Sequence, residues 1–128
     1  MSIEPGGTFT CKDDSFTGDD KHLWVIVSDP NSHPDCVVIV NLSSTFNKTY
    51  DPACDLKRGE HPFIRHDTFV HYREAKVVTS KGLHAAAISH GQSVSVAVLA
   101  RIREGANKTR LLPRAIKRHL IDQGVIPS

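Results

Sequence analysis

Two short apolar runs constrain the fold of this chain more than any other feature of its sequence. Residues 23–27 (LWVIV) are stopped by a turn cluster at 28–31, and residues 36–40 (CVVIV) lead into a polar string at 41–45. Unbroken runs of this length, rich in β-branched residues and bounded by turn formers, are typical of buried strands. They are far shorter than the ~20 apolar residues of a membrane-spanning helix. The runs therefore predict a small β-barrel or sandwich.

Shorter strand candidates follow the two runs. Residues 54–56 form one candidate, and residues 69–72 and 75–78 carry strand formers on either side of a charged turn. Together with the length of 128 residues, these segments indicate one small domain rather than several.

The C-terminal part of the chain is expected to be helical. The valines of 93–102 alternate as in a strand, yet other apolar residues of the segment share one helical face. A serine that can cap the start, Ser95, and a glycine at the C′ position, Gly105, favour a helix over about 93–105. Apolar residues at every fourth position behind Pro113 indicate a second helix over about 112–123.

Charge is balanced over the chain but uneven along it. There are 16 Lys and Arg against 14 Asp and Glu, which argues against a protein whose whole surface binds polyanions. Acidic residues and glycines dominate residues 1–18, which we interpret as a flexible lead-in. Basic residues dominate 101–118. We expect one domain, residues 19–128, that is mainly β (α+β) and carries a basic face.

The cysteines and the N-terminus bear on the cellular location. The three cysteines form no CxxC pair, and the first ten residues have neither a basic start nor an apolar segment. This pattern favours reduced thiols and no secretory signal, so we expect a cytoplasmic protein with no membrane partner.

Histidine is the unusual residue of this composition, with 8 copies in 128 residues. Cleaving a phosphodiester without a metal needs a base, an acid and cations, and imidazole and guanidinium groups can supply them. The alternative is an ordinary polar loop in which Asp67 or Thr68 caps local backbone. The densest polar segment, residues 57–68, combines two histidines with three cations: His61, His66, Lys57, Arg58 and Arg65.

Two further polar groups adjoin the apolar runs. Hydroxyls follow the second run at Ser43, Ser44 and Thr45, where they can bind a phosphate oxygen or form an ordinary turn. Lys21 and His22 directly precede the first run, a position usual for the solvent-facing start of a strand.

The motifs do not favour a metal or a cofactor. His61, His66 and His71 follow one another at intervals of five residues, which matches no zinc motif. P-loop, dinucleotide-binding and GxSxG motifs are also missing from the sequence. We therefore expect neither a metal nor a cofactor.

The order of these features resembles the PemK/MazF-like toxins of type II toxin–antitoxin systems. In that family a basic residue precedes an apolar strand, and a second apolar strand ends in a Thr or Ser that completes the active site. Here Lys21 and His22 precede the first run, and residues 37–42 lead to Ser43 and Ser44.

The resemblance covers residues 19–80 and includes two departures from the family pattern. A later Ser/Thr-x-Val pattern of the family is similar to residues 68–70. His22 stands where the family has an arginine, and Leu23 stands where it has a proline. The acidic lead-in replaces the family's early strand and its Gly-Glu-Gln-like loop.

The resemblance implies a small SH3-like β-barrel with one or two C-terminal helices. It further implies a metal-independent endoribonuclease that cleaves single-stranded RNA as a homodimer and is neutralised by a cognate antitoxin protein. On this hypothesis His22 or His66 deprotonates a 2′-hydroxyl, Arg65 stabilises the phosphorane, and Ser43 positions the phosphate. The substrate-binding candidates are Lys21, Ser44, Thr45, Lys57, Arg58, His61 and Thr68.

The replacement of the family arginine by His22 leaves two alternatives open. One is a non-catalytic barrel that binds RNA or a protein. The other is a toxin that acts by docking to a target enzyme.

Overall fold

One curled antiparallel sheet and three helices make up the part of the chain that the computed structural model describes, residues 3–11, 22–29, 36–45 and 49–127. The strands lie in the order β4-β5-β3-β2-β1-β6. The predicted fold class, a mainly β α+β barrel with two C-terminal helices, is confirmed in the form of a half-barrel. The elements are β1 (Thr8–Cys11), β2 (Trp24–Ile26), β3 (Cys36–Ser44), β4 (Asp55–Leu56), β5 (Thr68–Thr79), α1 (Ser80–Ala86), β6 (Ala87–Gly91), α2 (Val96–Lys108) and α3 (Arg114–Asp122).

Both apolar runs form strands, as predicted, and they pair with each other. Val25 lies opposite Val40 in the antiparallel ladder of β2 and β3. Alternate residues of a strand point to opposite faces of the sheet. On β3, Val38 and Val40 therefore join the main core, whereas Val37 and Ile39 join a second cluster on the other face. Burial on both faces explains why the sequence shows unbroken apolar runs rather than alternation.

The helices α2 and α3 cover the main core. Ser95 caps α2 by accepting a hydrogen bond from the Val98 N–H, and Val98 and Ile102 are buried against the sheet. The alternation that also fitted a strand is thus resolved in favour of a helix. Helix α3 begins after Pro113 and ends before Gly124, whose φ of 73° suits glycine.

The predicted end of α2 is wrong by about one turn, and the reason is the role of Gly105. The helix continues through Gly105 to Lys108. A Cβ on Gly105 would lie 2.9 Å from the Cys54 Cβ and would also overlap the hydroxyl of Tyr72. Gly105 therefore permits close packing of α2 on the sheet and does not terminate the helix.

The predicted strands 69–72 and 75–78 are one strand, and no turn separates them. In the register of β3 with β5, Ile39 lies opposite Lys76 and Asn41 lies opposite His71. Four residues of β5, 72–75, thus face the single residue Val40. The charged residues occupy a bulge, which bends a strand without ending it.

Two strands and one helix were not predicted. β1 lies within residues 1–18 and pairs with β2 on one side and β6 on the other. Helix α1 directly follows β5, and the Thr79 hydroxyl caps it by accepting from the Gly82 N–H. Short strands depend on distant partners, so their own sequences carry little signal.

None of the helices in the described ranges is long and apolar enough to cross a membrane.

Candidate active site

The ends of three neighbouring strands bring several predicted site residues together. Ser44 of β3 lies opposite Thr68 of β5, and the Thr45 N–H donates to the Asp67 carbonyl at 3.3 Å. Continuing the register of β2 with β3 by two residues places His22 opposite Ser43. His22 and the hydroxyls of 43–45 and Thr68 thus share one end of the sheet.

His22 is held by the backbone of β3. Its Nδ1 lies 2.9 Å from the carbonyl oxygen of Leu42, and the ring is half-buried. A carbonyl only accepts, so Nδ1 must carry the proton. In the neutral ring the lone pair is then on Nε2. A histidine whose orientation is fixed in this way can take up a proton at a defined position.

Two buried polar atoms beside His22 lack hydrogen-bond partners among the described residues. Ser43 is 4% exposed and Asn41 is fully buried, yet neither Ser43 Oγ nor Asn41 Oδ1 has a partner in residues 3–11, 22–29, 36–45 and 49–127. Both residues lie on the same face of β3 as Val37 and Ile39. Unsatisfied buried acceptors are uncommon and mark places where a ligand or a water completes the structure.

A polar network that the sequence analysis did not predict adjoins these atoms. The bulge of β5 places Glu74 against β3, where Asn41 Nδ2 donates to Glu74 Oε1 at 3.0 Å. The same oxygen lies 3.1 Å from His71 Nδ1, at ion-pair distance but off the direction of the N–H bond. On the other side of the ring, His71 Nε2 lies 3.0 Å from Thr49 Oγ1.

The loop after β4 lines an open groove of about 740 Å³. Arg58 and Arg65 are both exposed on its walls, as expected of residues that could contact phosphates. Lys57 lines a smaller cavity of about 170 Å³ together with Thr45 and Tyr50. The positively charged side chains of this loop therefore extend from the strand ends, at Lys57, to the groove, at Arg58 and Arg65. His66 is exposed on the same loop, and its carbonyl accepts from the Thr68 hydroxyl.

His61 lies at the same groove but is engaged on both ring nitrogens. Nδ1 accepts from the Phe63 N–H at 3.1 Å, so Nε2 carries the proton and donates to the Gln92 carbonyl. The ring is 5% exposed. The two segments that it joins follow β4 and β6, the strands at opposite edges of the sheet. His61 therefore joins the two edges of the half-barrel.

An ion pair holds the same loop to α2. Arg101 donates to the carboxylate of Glu60 and to the Asp55 carbonyl. Partial burial raises the pKa of Glu60, but hydrogen bonds from Arg101 and the Lys57 N–H outweigh it, and the pKa falls below its ordinary value. The loop is thus anchored at its base while its arginines stay exposed.

Two predicted site features need a separate statement. Lys21 lies outside the described residues. Within the described ranges, no group of three or more His, Cys, Asp or Glu side chains is arranged to hold a metal ion.

Comparisons with known proteins do not assign this chain to a family. No protein-family model matches the chain, and no curated protein matches it in sequence.

Proposed function

We propose that this protein is a metal-independent endoribonuclease, the toxin of a type II toxin–antitoxin system, that cleaves single-stranded RNA. The observation that carries the proposal is the position of His22 beside Ser43 at the end of the sheet. His22 is oriented by the Leu42 carbonyl at 2.9 Å, and the buried Ser43 Oγ has no hydrogen-bond partner among the described residues. RNA cleavage without a metal requires a base, an acid and cations, and this end of the sheet offers histidines and a cationic loop.

The proposed reaction is attack of a ribose 2′-hydroxyl on the adjacent phosphate. One imidazole accepts the 2′-hydroxyl proton, and a second donates a proton to the departing 5′-oxygen. His22 is the first of these groups, and the exposed His66 is a candidate for the second. Arg58 and Arg65 offset the charge of the phosphorane, and Ser43 orients a phosphate oxygen. The products are a 2′,3′-cyclic phosphate and a 5′-hydroxyl.

The biological setting of the proposal follows from the resemblance in residues 19–80. We propose that the protein acts in the cytoplasm as a homodimer and that a cognate antitoxin protein binds and inhibits it. Co-expression with the product of the neighbouring open reading frame tests this directly. Growth arrest that the neighbour relieves is the expected result.

The test of the proposed reaction is cleavage of labelled single-stranded RNAs in the presence of EDTA. We expect products with a 2′,3′-cyclic phosphate, and we expect 2′-O-methylation of the scissile nucleotide to abolish cleavage. Replacing His22 by Ala should lower the cleavage rate by about 10²–10⁴-fold, as removal of a general acid or base does. The matched control is His84→Ala, because His84 is exposed in α1, on another part of the fold.

A second pair of variants tests the cationic loop. Arg65→Ala should weaken RNA binding and cleavage, whereas Arg110→Ala removes an equally exposed arginine outside the groove and should leave both unchanged. Intact RNA across a varied panel would overturn the endoribonuclease proposal. RNA binding without cleavage would favour a non-catalytic RNA-binding barrel instead.

A further inference from the structure

Thr49, His71 and Glu74 form a linear chain of contacts: hydroxyl, imidazole, carboxylate. Thr49 Oγ1 lies 3.0 Å from His71 Nε2, and Glu74 Oε1 lies 3.1 Å from His71 Nδ1. The carboxylate favours the proton on Nδ1, which leaves the Nε2 lone pair to accept from the Thr49 hydroxyl. A base that contacts a hydroxyl on one side and an orienting group on the other is the general pattern of an activated hydroxyl.

The three residues of this chain of contacts differ in burial, and the middle one is the most buried. His71 is 5% exposed, so it cannot meet a large substrate directly. Thr49 is half-buried and is the end of the chain that a substrate can reach. At the other end, the Glu74 side chain is 38% exposed, so its negative charge stays hydrated while Oε1 faces the ring. The Thr49 hydroxyl thus offers a path for a proton between a substrate and His71 Nε2.

The neighbours of Thr49 hold it beside the proposed RNA-binding surface. Tyr50 donates a hydrogen bond to the Asp55 carboxylate and packs edge-on against Phe69, with ring centroids 5.2 Å apart. Phe69 also packs against the His71 ring at 5.2 Å. Tyr50 lines the small cavity that contains Lys57. The chain of contacts Thr49–His71–Glu74, called the relay below, therefore has its Thr49 end next to the cationic loop.

The relay lies on the same face of the sheet as His22. His22 falls opposite Ser43, and the next pair on that face is Trp24 with Asn41, which in turn lies opposite His71. The two histidines thus flank β3, and the unsatisfied atoms of Asn41 and Ser43 lie between them. The two imidazoles thus lie on the two segments that neighbour β3, at the same end of the sheet, where each could transfer a proton to or from a phosphodiester bound over that end.

We propose that Thr49 is a catalytic residue of the RNA cleavage and that His71 is the proton acceptor behind it, with Glu74 as a positioning residue. The inference rests on the proposed endoribonuclease function. The 2′-hydroxyl proton passes to Thr49 Oγ1 while the Thr49 proton passes to His71 Nε2. The 2′-oxygen bonds to phosphorus, the bond from phosphorus to the 5′-oxygen breaks, and protonated His22 supplies the proton to that oxygen. His22 then ends neutral and His71 protonated, and exchange with water restores both.

This assignment replaces His66 by His71, and it reverses the role given to His22 under the proposed function. His22 now donates the proton to the departing oxygen, and His71 accepts the 2′-hydroxyl proton through Thr49. His66 is exposed on a loop, whereas Phe69, Thr49 and Glu74 fix the His71 ring on three sides. Catalytic groups held by their surroundings lose less freedom in the transition state. The two histidines are therefore distinguishable by mutation.

The experiment measures kcat and KM for RNA cleavage by the full-length protein and its variants. Thr49→Val keeps the shape of the side chain and removes the hydroxyl, so kcat should fall by about 100-fold with KM unchanged. Thr49→Ser restores the hydroxyl and should recover cleavage to within about fivefold. Glu74→Gln can still accept from Asn41 but loses its charge, so it too should lower kcat without changing KM. The matched control, His84→Ala, alters an exposed histidine of α1 and should cleave at the wild-type rate.

The possible outcomes separate this inference from the function on which it rests. If the wild-type protein cleaves RNA but both Thr49→Val and Glu74→Gln cleave equally well, the relay is wrong and the endoribonuclease proposal stands. Loss of kcat in His66→Ala, with Thr49→Val unaffected, would assign the second proton to His66 instead. If the wild-type protein leaves every RNA intact, both proposals fail.

Discussion

Replacing His61 by Ala tests whether this histidine joins the two edges of the sheet. The substitution removes the hydrogen bond from the Phe63 N–H and the one to the Gln92 carbonyl. Each hydrogen bond contributes about 0.5–1.5 kcal/mol to stability. Phe63 is 44% exposed and Gln92 is also exposed, so water can replace the imidazole at both backbone groups. The loss of a nearly buried ring adds about 1 kcal/mol of packing. We expect a total destabilisation of about 2–4 kcal/mol.

Urea unfolding followed by tryptophan fluorescence measures this change. Trp24 is the single tryptophan of the chain and is 1% exposed, so its emission reports directly on the sheet. With a urea m value of about 1–3 kcal/mol/M, the unfolding midpoint should fall by about 1–2 M. His84→Ala is the control, since an exposed helical histidine contributes within about 0.5 kcal/mol.

One result would refute the reasoning about the sheet edges. If His61→Ala unfolded at the same urea concentration as His84→Ala, the hydrogen bonds of His61 would contribute nothing measurable to the fold. His61 would then be a surface residue of the groove, available to a substrate. The sequence-based expectation of a substrate-binding His61 would gain support from that outcome.

Three further substitutions test the packing and electrostatics of the fold. Gly105→Ala would stabilise an exposed helix, but here the new Cβ would lie 2.9 Å from the Cys54 Cβ, so we expect a loss of about 1–3 kcal/mol in urea unfolding. Burial raises the pKa of Cys54 to about 11, so the folded state favours the protonated thiol. Stability should therefore be complete below about pH 9 and fall by about 2–3 kcal/mol as the pH rises towards 11, and Cys54→Ala should reduce that dependence. Burial also raises the pKa of Tyr72, which accounts for the fall that remains above about pH 10. Arg101→Ala breaks a pair with Glu60 whose arginine side chain is 44% exposed, so it should cost at most about 1 kcal/mol, and less at high salt.

The elements that the sequence predicts are those whose signals are local. β2 and β3 follow from unbroken β-branched runs between turn formers, and α2 follows from the Ser95 cap and the spacing of its apolar residues. Gly105 shows the limit of local reasoning, because a glycine near a helix end predicts a C-cap on its own. The close approach of Tyr72 from β5 and of Cys54 explains why this glycine lies within the helix.

The elements that the sequence does not predict depend on distant partners. β1 and β6 are short, and each is defined by its pairing with the other. In the bulge of β5, four residues face one residue of β3. The sequence of neither strand alone shows this four-to-one pairing. A charged pair between strand formers was therefore interpreted as a turn.

The candidate site also contains residues that the sequence predicts and residues that it does not. For the polar network around Asn41, which was not predicted, one signal is present in the sequence. Asn41 and Ser43 alternate along β3 in step with Val37 and Ile39, so all four side chains share one face. A buried β3 therefore places an amide and a hydroxyl on an apolar face. A buried amide needs several hydrogen-bond partners, and on that face they must come from a neighbouring strand or loop. The alternation of side chains along β3 thus predicts a polar cluster opposite Asn41. Identifying its members as residues of β5 requires the register across the bulge, which is a property of the sheet and not of any one segment.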